Sequence, residues 1–173
     1  MIVTVRRIRP SDGTAIRALR MQSLATDAPA FSVTPDILTA LSASEWDAFC
    51  TRNAVEPLQA VYVATIAEAI VGMAGLLTDR SAHLRHTATV WGIYVAPPQR
   101  TAGIASLLVR ALIAHGGDAG FHQLKLTVTA YATAARGLYE RCGFSAYAHE
   151  PDFLCVDGIM YDATHMRYVY PRK

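Results

Sequence analysis

The run from Val90 to Leu112 constrains this chain more than any other segment. Its apolar residues Val90 to Val95 read as a buried strand, and Pro97 and Pro98 stop it. Gly103 then opens a stretch in which Ile104, Leu107, Leu108, Ala111 and Leu112 follow helical spacing. A strand that turns through a tight loop into a helix leaves several backbone N–H groups aimed at one point, and the helix dipole adds partial positive charge there. Such a turn suits a phosphate or pyrophosphate. Gly103, lacking a Cβ, lets ligand and backbone approach closely, and Arg100 places a positive charge beside the same spot. The alternative is a plain connection between two elements. The loop is not a Walker A motif, since no Gly-Lys-Ser/Thr follows it. Nor is it a dinucleotide fingerprint, for Gly103 is the only one of the three glycines needed.

A second segment, Thr127 to Phe144, begins like a strand and continues like a helix. Ala135, Leu138, Tyr139 and Cys142 fall at i, i+3, i+4 and i+7, on one helix face. Gly143 stands where a left-handed residue would end that helix, and Phe144 starts a further strand. Tyr139 therefore projects from the packed face of a short helix, the position of a core tyrosine or of a residue aimed into a site.

The remaining pattern is that of one domain over residues 1–173, long enough to bury a core. A hydrophobic share of 52% with 17% charge argues against disorder. A net charge of +2 offers no general attraction to nucleic acid, and the clusters Arg6–Arg9 and Arg80–His86 read as solvated faces. Cys50, Cys142 and Cys155 form no CxxC and no even framework, which points to a reducing, cytoplasmic setting. The six histidines complete no metal signature, so no metal is expected. The N-terminus lacks the apolar core of a signal peptide. The apolar run Ala60 to Leu77 nearly matches a membrane span, but Glu68 interrupts it and β-branched residues flank it; two buried strands joined near Ala67-Glu68-Ala69 explain it better.

Strands are expected at 2–9, 59–66, 70–79, 87–95, 123–129, 144–150 and 159–169. Helices are expected at about 12–25 with Ser11 as N-cap, from Ser42, from 103 and from about 132. Ser42-Ala-Ser-Glu45 is a capping box with Trp46 and Phe49 on one face beyond it, and an irregular loop fills the interval to 41.

The pair R-x-x-G-x-A (Arg100 to Ala105) and A-A-R-G-L-Y-E-R-C-G-F (Ala134 to Phe144) resembles the GCN5-related N-acetyltransferase (GNAT) superfamily in a bacterial form. Arg17-Ala-Leu-Arg with Asp27-Ala-Pro-Ala-Phe31 resembles the family's opening helix and loop. Val61-Tyr-Val-Ala to Ile70-Val-Gly-Met-Ala-Gly resembles its central hairpin, and Trp91-Gly-Ile-Tyr-Val95 its splayed strand. The resemblance implies an α/β (α+β) fold: a mixed, mainly antiparallel sheet of about seven strands, splayed in the middle, with about four helices. It implies an N-acetyltransferase that uses acetyl-CoA as co-substrate and a primary amine as acceptor, with no nucleic-acid or membrane partner; a homodimer is allowed.

By the same resemblance the pyrophosphate of acetyl-CoA rests on Arg100, Thr101, Ala102, Gly103, Ile104 and Ala105. The pantetheine arm adds to the backbone of Ile93, Tyr94 and Val95 as a pseudo-strand, near Ala132 and Ala135. A strand N–H then faces the acyl oxygen, and the Tyr139 hydroxyl faces the leaving thiolate. Three positions depart from the family pattern: Ala132 replaces a common asparagine, Thr101 a common glycine, and Thr89 the common glutamate base. Threonine cannot accept a proton near neutral pH. Either His83, His86 or His165 works through water, or the amine arrives neutral, and the second is favoured because no histidine lies within the motif core. Phe31, Trp46, Trp91 and Phe153 are the expected apolar wall for the acceptor, with Glu45, Asp36 and His165 as polar contacts. The rivals are an acyl-CoA-binding sensor without turnover and a transferase of another acyl group or to a hydroxyl acceptor.

Overall fold

The apolar run Ala60–Leu77 folds as a hairpin. Strand β2 (Ala60–Ile66) returns as β3 (Ala69–Thr78) through Ala67 and Glu68, both left-handed at φ 46° and 67°. Two left-handed central residues match the right-handed twist of the flanking strands, whose middle residues are buried while Ala69 and Leu77 near the ends of β3 are exposed. The computed structural model describes residues 2–79 and 81–171. Around this hairpin it sets β1 (Thr4–Arg7), β4 (Thr87–Val95), β5 (Gln123–Thr129), β6 (Ser145–Val156) and β7 (Ile159–Val169) in one seven-stranded sheet of order β1-β2-β3-β4-β5-β7-β6. Only β4 and β5 run parallel, and they pair over three positions, Thr87 to Thr89 against Gln123 to Lys125. Beyond Thr89 the two strands part, so the sheet is splayed at its centre.

Five α-helices are present among the described residues: α1 (Gly13–Asp27), α2 (Pro35–Thr39), α3 (Ala43–Val55), α4 (Ile104–Asp118) and α5 (Thr133–Arg141). The amphipathic stripe of α4, with Ile104, Leu108 and Leu112, packs with α5 on one face of the sheet against Leu124, Leu126 and Met166. The other face carries α1 and α3, whose Ile16, Leu19, Trp46 and Cys50 meet Val61, Val63, Met73 and Tyr94. Each fully buried leucine or isoleucine contributes about 1.5–3 kcal/mol, so two such layers hold the sheet rigid between them.

Several expectations are corrected. Strand β1 stops at Arg7, and Ile8 adds one further bond, its N–H to the Val61 carbonyl at 2.9 Å. Ser11 does not cap α1; a 3₁₀ turn over Pro10–Asp12 precedes the helix, because the Asp12 carboxylate binds the Arg6 guanidinium at 2.7 and 2.9 Å and the Arg9 N–H. The basic N-terminal cluster is thus partly structural: Arg7 likewise donates to the carbonyls of Asn53, Glu56 and Gln59. The expected loop to 41 holds a 3₁₀ turn at Ala28–Ala30 and the short α2, each with proline in its first turn, where the missing N–H costs nothing. Strand β6 runs past 150, through a bulge near Asp152, to a hairpin turn at Asp157-Gly158. Arg80 lies outside the described residues, and the rest of its cluster, through His86, is exposed.

Candidate active site

Strand β4 is irregular where it leaves β5. Trp91 opposes Gly75 and Tyr94 opposes Met73, so Gly92 and Ile93 together face the single residue Ala74. This β-bulge needs Gly92 at φ 62°, a conformation glycine reaches without steric cost. It also breaks the alternation of faces: Trp91 and Tyr94 both point to the α1/α3 side, while Val90, Ile93 and Val95 point to the α4/α5 side. The edge of β4 toward β5 carries no ladder from Val90 onward. An unpaired edge of this kind accepts an extended ligand by main-chain hydrogen bonding.

A narrow cavity of about 90 Å³ opens between the parted strands. Ile93, Trp91 and Gly92 line one wall, Thr127 and Thr129 the other, with Phe31, Ala132, Ala135 and Tyr139 closing the ends. Tyr139 is 7% exposed, and it is the buried residue of α5. Burial, followed by the nearby Cys142, pushes its phenol well above the ordinary value, so it stays protonated and can only donate or accept hydrogen bonds. Gly143 ends α5 at φ 94°. Ala132 occupies the N-cap of α5 and supplies no side-chain cap.

Beyond the splay lies the start of α4. Gly103 is its N-cap, at φ 77°, with no side-chain cap and open space where a Cβ would be. The first helical bond runs from the Leu107 N–H to the Gly103 carbonyl, leaving the N–H groups of Ile104, Ala105 and Ser106 without an intrahelical acceptor. An anion fits such a terminus. Two expectations about this loop change. The left-handed backbone, more than close approach, is what calls for glycine at Gly103; Thr101 is left-handed too, at φ 67°, which explains why glycine suits that position. Arg100 turns away from the helix: Nε donates to the Val95 carbonyl at 3.0 Å, Nη2 pairs with Asp27 at 2.6 Å, and the guanidinium lies over the Tyr94 ring. Its backbone N–H already donates to Pro97. Burial works to raise the Asp27 pKa, but hydrogen bonds from Arg100 and Thr26 outweigh it and hold the carboxyl below its ordinary value.

The proposed acceptor contacts divide. Phe31 and Trp91 reach the narrow cavity. Trp91, Trp46 and Glu45 also line a second, half-open cavity of about 370 Å³ bordered by α1, α2, α3 and β4. Glu45 is committed to the capping box, accepting from the Ser42 N–H at 2.8 Å and hydroxyl at 2.7 Å. Asp36, exposed in the first turn of α2, and Phe153, against His165, line neither cavity. His165 stands behind the wall: its ring bonds Thr127 at 3.1 Å and Glu150 at 2.7 Å, so both nitrogens are taken. His83 and His86 sit before β4, at the end away from the splay, and Thr89 is exposed on the last paired step.

Sequence reading missed Arg20, which lines the larger cavity although it belongs to the buried stripe Ile16, Leu19, Arg20, Ser23 and Leu24 of α1. A charge on the apolar face of an amphipathic helix was the available signal. Trp91 gains its seat from Gly75, where an added Cβ would fall inside the indole. No group of three or more metal-ligating side chains occurs among the described residues, and none of their helices is long and apolar enough to cross a membrane.

Known proteins share this architecture. An acetyltransferase of the GNAT family from Streptococcus pneumoniae is 25% identical over 98% of this chain and 100% of its own, with a TM-score of 0.88. The structure of yncA from Salmonella typhimurium with its cofactor acetyl-CoA is 19% identical over 100% of this chain and 96% of its own, at a TM-score of 0.87. A ribosomal-protein-alanine N-acetyltransferase from Brucella melitensis is 20% identical over 96% and 99%, at 0.83. No curated protein matches. The model of the acetyltransferase (GNAT) family matches residues 22–144, well over half of the sequence, and with the splayed sheet it places this chain in the GNAT family of acetyltransferases.

Proposed function

We propose that the protein moves an acetyl group from acetyl-CoA to a primary amine by direct attack on the thioester. The observation that carries this is the coincidence, along one groove, of an uncapped helix N-terminus, an open strand edge and a buried tyrosine. The N–H groups from Thr101 to Ala105 fit a pyrophosphate, and the edge of β4 at Ile93 to Val95, where Arg100 takes only the Val95 carbonyl, fits an extended amide arm. Acetyl-CoA supplies the activated acyl carbon. A backbone N–H of the bulged β4 stabilises the negative charge that gathers on the acyl oxygen. The amine nitrogen forms the new C–N bond and loses a proton to solvent; the C–S bond breaks, and the Tyr139 hydroxyl donates a hydrogen bond to the departing sulfur. Because Thr89 cannot accept a proton and both His165 nitrogens are occupied, the amine enters already neutral.

A screen of amines for thiol release, run with acetyl-CoA and with longer acyl-CoAs, tests the proposal. Release that depends on an amine and is fastest with acetyl-CoA supports it. Tight acetyl-CoA binding with no release for any amine would identify a sensor instead, and faster release from longer acyl chains would reassign the donor.

A further inference from the structure

Among the described residues four buried side-chain nitrogens lack a hydrogen-bond partner: Arg6 Nε, Arg20 Nη1, Trp46 Nε1 and Trp91 Nε1. The last three belong to residues lining one cavity, the 370 Å³ space between α1, α2, α3 and β4. All three are donors, but none of the three atoms has accessible surface, and the Trp91 indole nitrogen packs toward Gly75, so a ligand in the cavity meets the rest of the Arg20 guanidinium first. Arg6 is different, since its other nitrogens are bound to Asp12. Arg20 is 7% exposed and makes no ion pair with a described carboxylate. Burial lowers its pKa, and no neighbouring charge acts against that effect. The rings of Phe31 and Trp91 lie 5.8 and 5.6 Å from the guanidinium carbon. They hold the guanidinium in place but offer no lone pair to its N–H groups. A buried cation left without a counter-charge is costly, and it selects a ligand that brings negative charge.

We propose that this cavity is the acceptor site and that it receives an amine bearing a carboxylate next to the amino group, an α-amino acid or its close relative, with the carboxylate held by the Arg20 guanidinium. The proposal rests on the acyl-transfer function of the neighbouring groove. The volume falls within the roughly 300–1,000 Å³ of small-molecule sites. Leu38, Leu41 and Phe49 give an apolar wall for the side chain of such an acid, and Arg52 adds a second positive charge. The one carboxylate lining the cavity, Glu45, is directed to Ser42. The connection to the chemistry is short. Arg20 Nη1 lies 3.4 Å from where a Cβ on Gly92 would be, and Trp91 and Gly92 also line the groove at the splay. A carboxylate on Arg20 therefore leaves an adjacent amino group at the bulge, beside the strand edge assigned to the thioester.

The chain has two tryptophans, and both are in this cavity, so intrinsic fluorescence reports on it without turnover. Leucine, methionine and phenylalanine are titrated against the corresponding amino acid amides, first by fluorescence and then by thiol release with acetyl-CoA. We expect at least one acid to perturb the fluorescence and its amide to bind and react roughly 10- to 100-fold more weakly, the range for hydrogen bonds to a charged group. Arg20→Met is expected to erase that discrimination while keeping acetyl-CoA affinity. It should melt no lower than the parent, since an uncompensated buried charge is removed; Arg20→Lys should retain part of the preference. Equal response to acids and amides, or a preference that survives in Arg20→Met, overturns the assignment even if amines are acetylated. Acid-selective fluorescence without thiol release would leave the anion site standing and fell the transfer reaction instead.

Discussion

Tyr139 shows how burial decides what a side chain can do. A phenol pushed upward by desolvation and by Cys142 is a poor proton donor in the full sense, yet a strong hydrogen-bond donor toward a thiolate in a dry site. Tyr139→Phe removes one oxygen and leaves the packing against Phe144 in place. Turnover should fall roughly 100-fold or more, within the span for general-acid groups, with acetyl-CoA affinity nearly unchanged. Steady-state rates beside calorimetric titration check this, and unaltered turnover would return Tyr139 to the core. Thr101 carries a different kind of stress. A β-branched residue at φ 67° is strained by about 1–2 kcal/mol, partly offset by its hydroxyl bond to the Arg100 carbonyl. Thr101→Gly is expected to stabilise the fold by about 0.5–1 kcal/mol after the added chain entropy of glycine. A urea midpoint that fails to rise would show that the hydroxyl bond outweighs the strain.

At the scale of elements, α4 and α5 both start without a side-chain cap, and both starts lie along the proposed cofactor groove. Ala132→Asn should act twice: it caps α5, worth about 1 kcal/mol of stability, and it offers the pantetheine one neutral hydrogen bond, worth about 0.5–1.5 kcal/mol of acetyl-CoA affinity. Thermal melting and calorimetry separate the two. A more stable variant with unchanged affinity would mean that the arm takes another path. Most elements were legible in the sequence because their signals are local. Ser42 and Glu45 announced a cap that the structure contains, and Val90–Val95 followed by proline and glycine announced the turn into α4. The β4 bulge was not legible, since it depends on register against Gly75 and Met73, which lie far off in sequence. Arg100 was misplaced for the same reason: its partner Asp27 is on another element. Arg20 stood out only as a charge on the apolar face of α1, and its place beside Phe31 and Trp91 depends on packing between distant elements.

On the scale of the molecule, the sheet supplies oriented backbone dipoles at its splay but no carboxylate or imidazole on the walls of the narrow cavity there, and Glu45 in the second cavity is held by Ser42. An aliphatic amine of pKa near 10.4 is then neutral in only about one molecule per thousand at pH 7.4, and the rate follows that fraction. The kcat/KM profile should still be rising above pH 8, and acceptors of lower amine pKa should react faster. A profile that levels near pH 7 and loses that limb in His165→Gln would show instead that the Thr127–His165–Glu150 chain carries the proton. The same architecture has one thin point. Trp91 lines both cavities, and its indole lies where a Cβ on Gly75 would be. The proposed donor and acceptor chambers therefore meet at a residue whose position depends on glycine in the adjoining strand. Gly75 is not in the left-handed region, so its backbone conformation suits other residues, and the indole is the nearest obstacle to a side chain there. A larger residue at Gly75 would have to be matched by a smaller ring at Trp91, a coupled exchange that redraws the proposed acceptor chamber from the strand beside it.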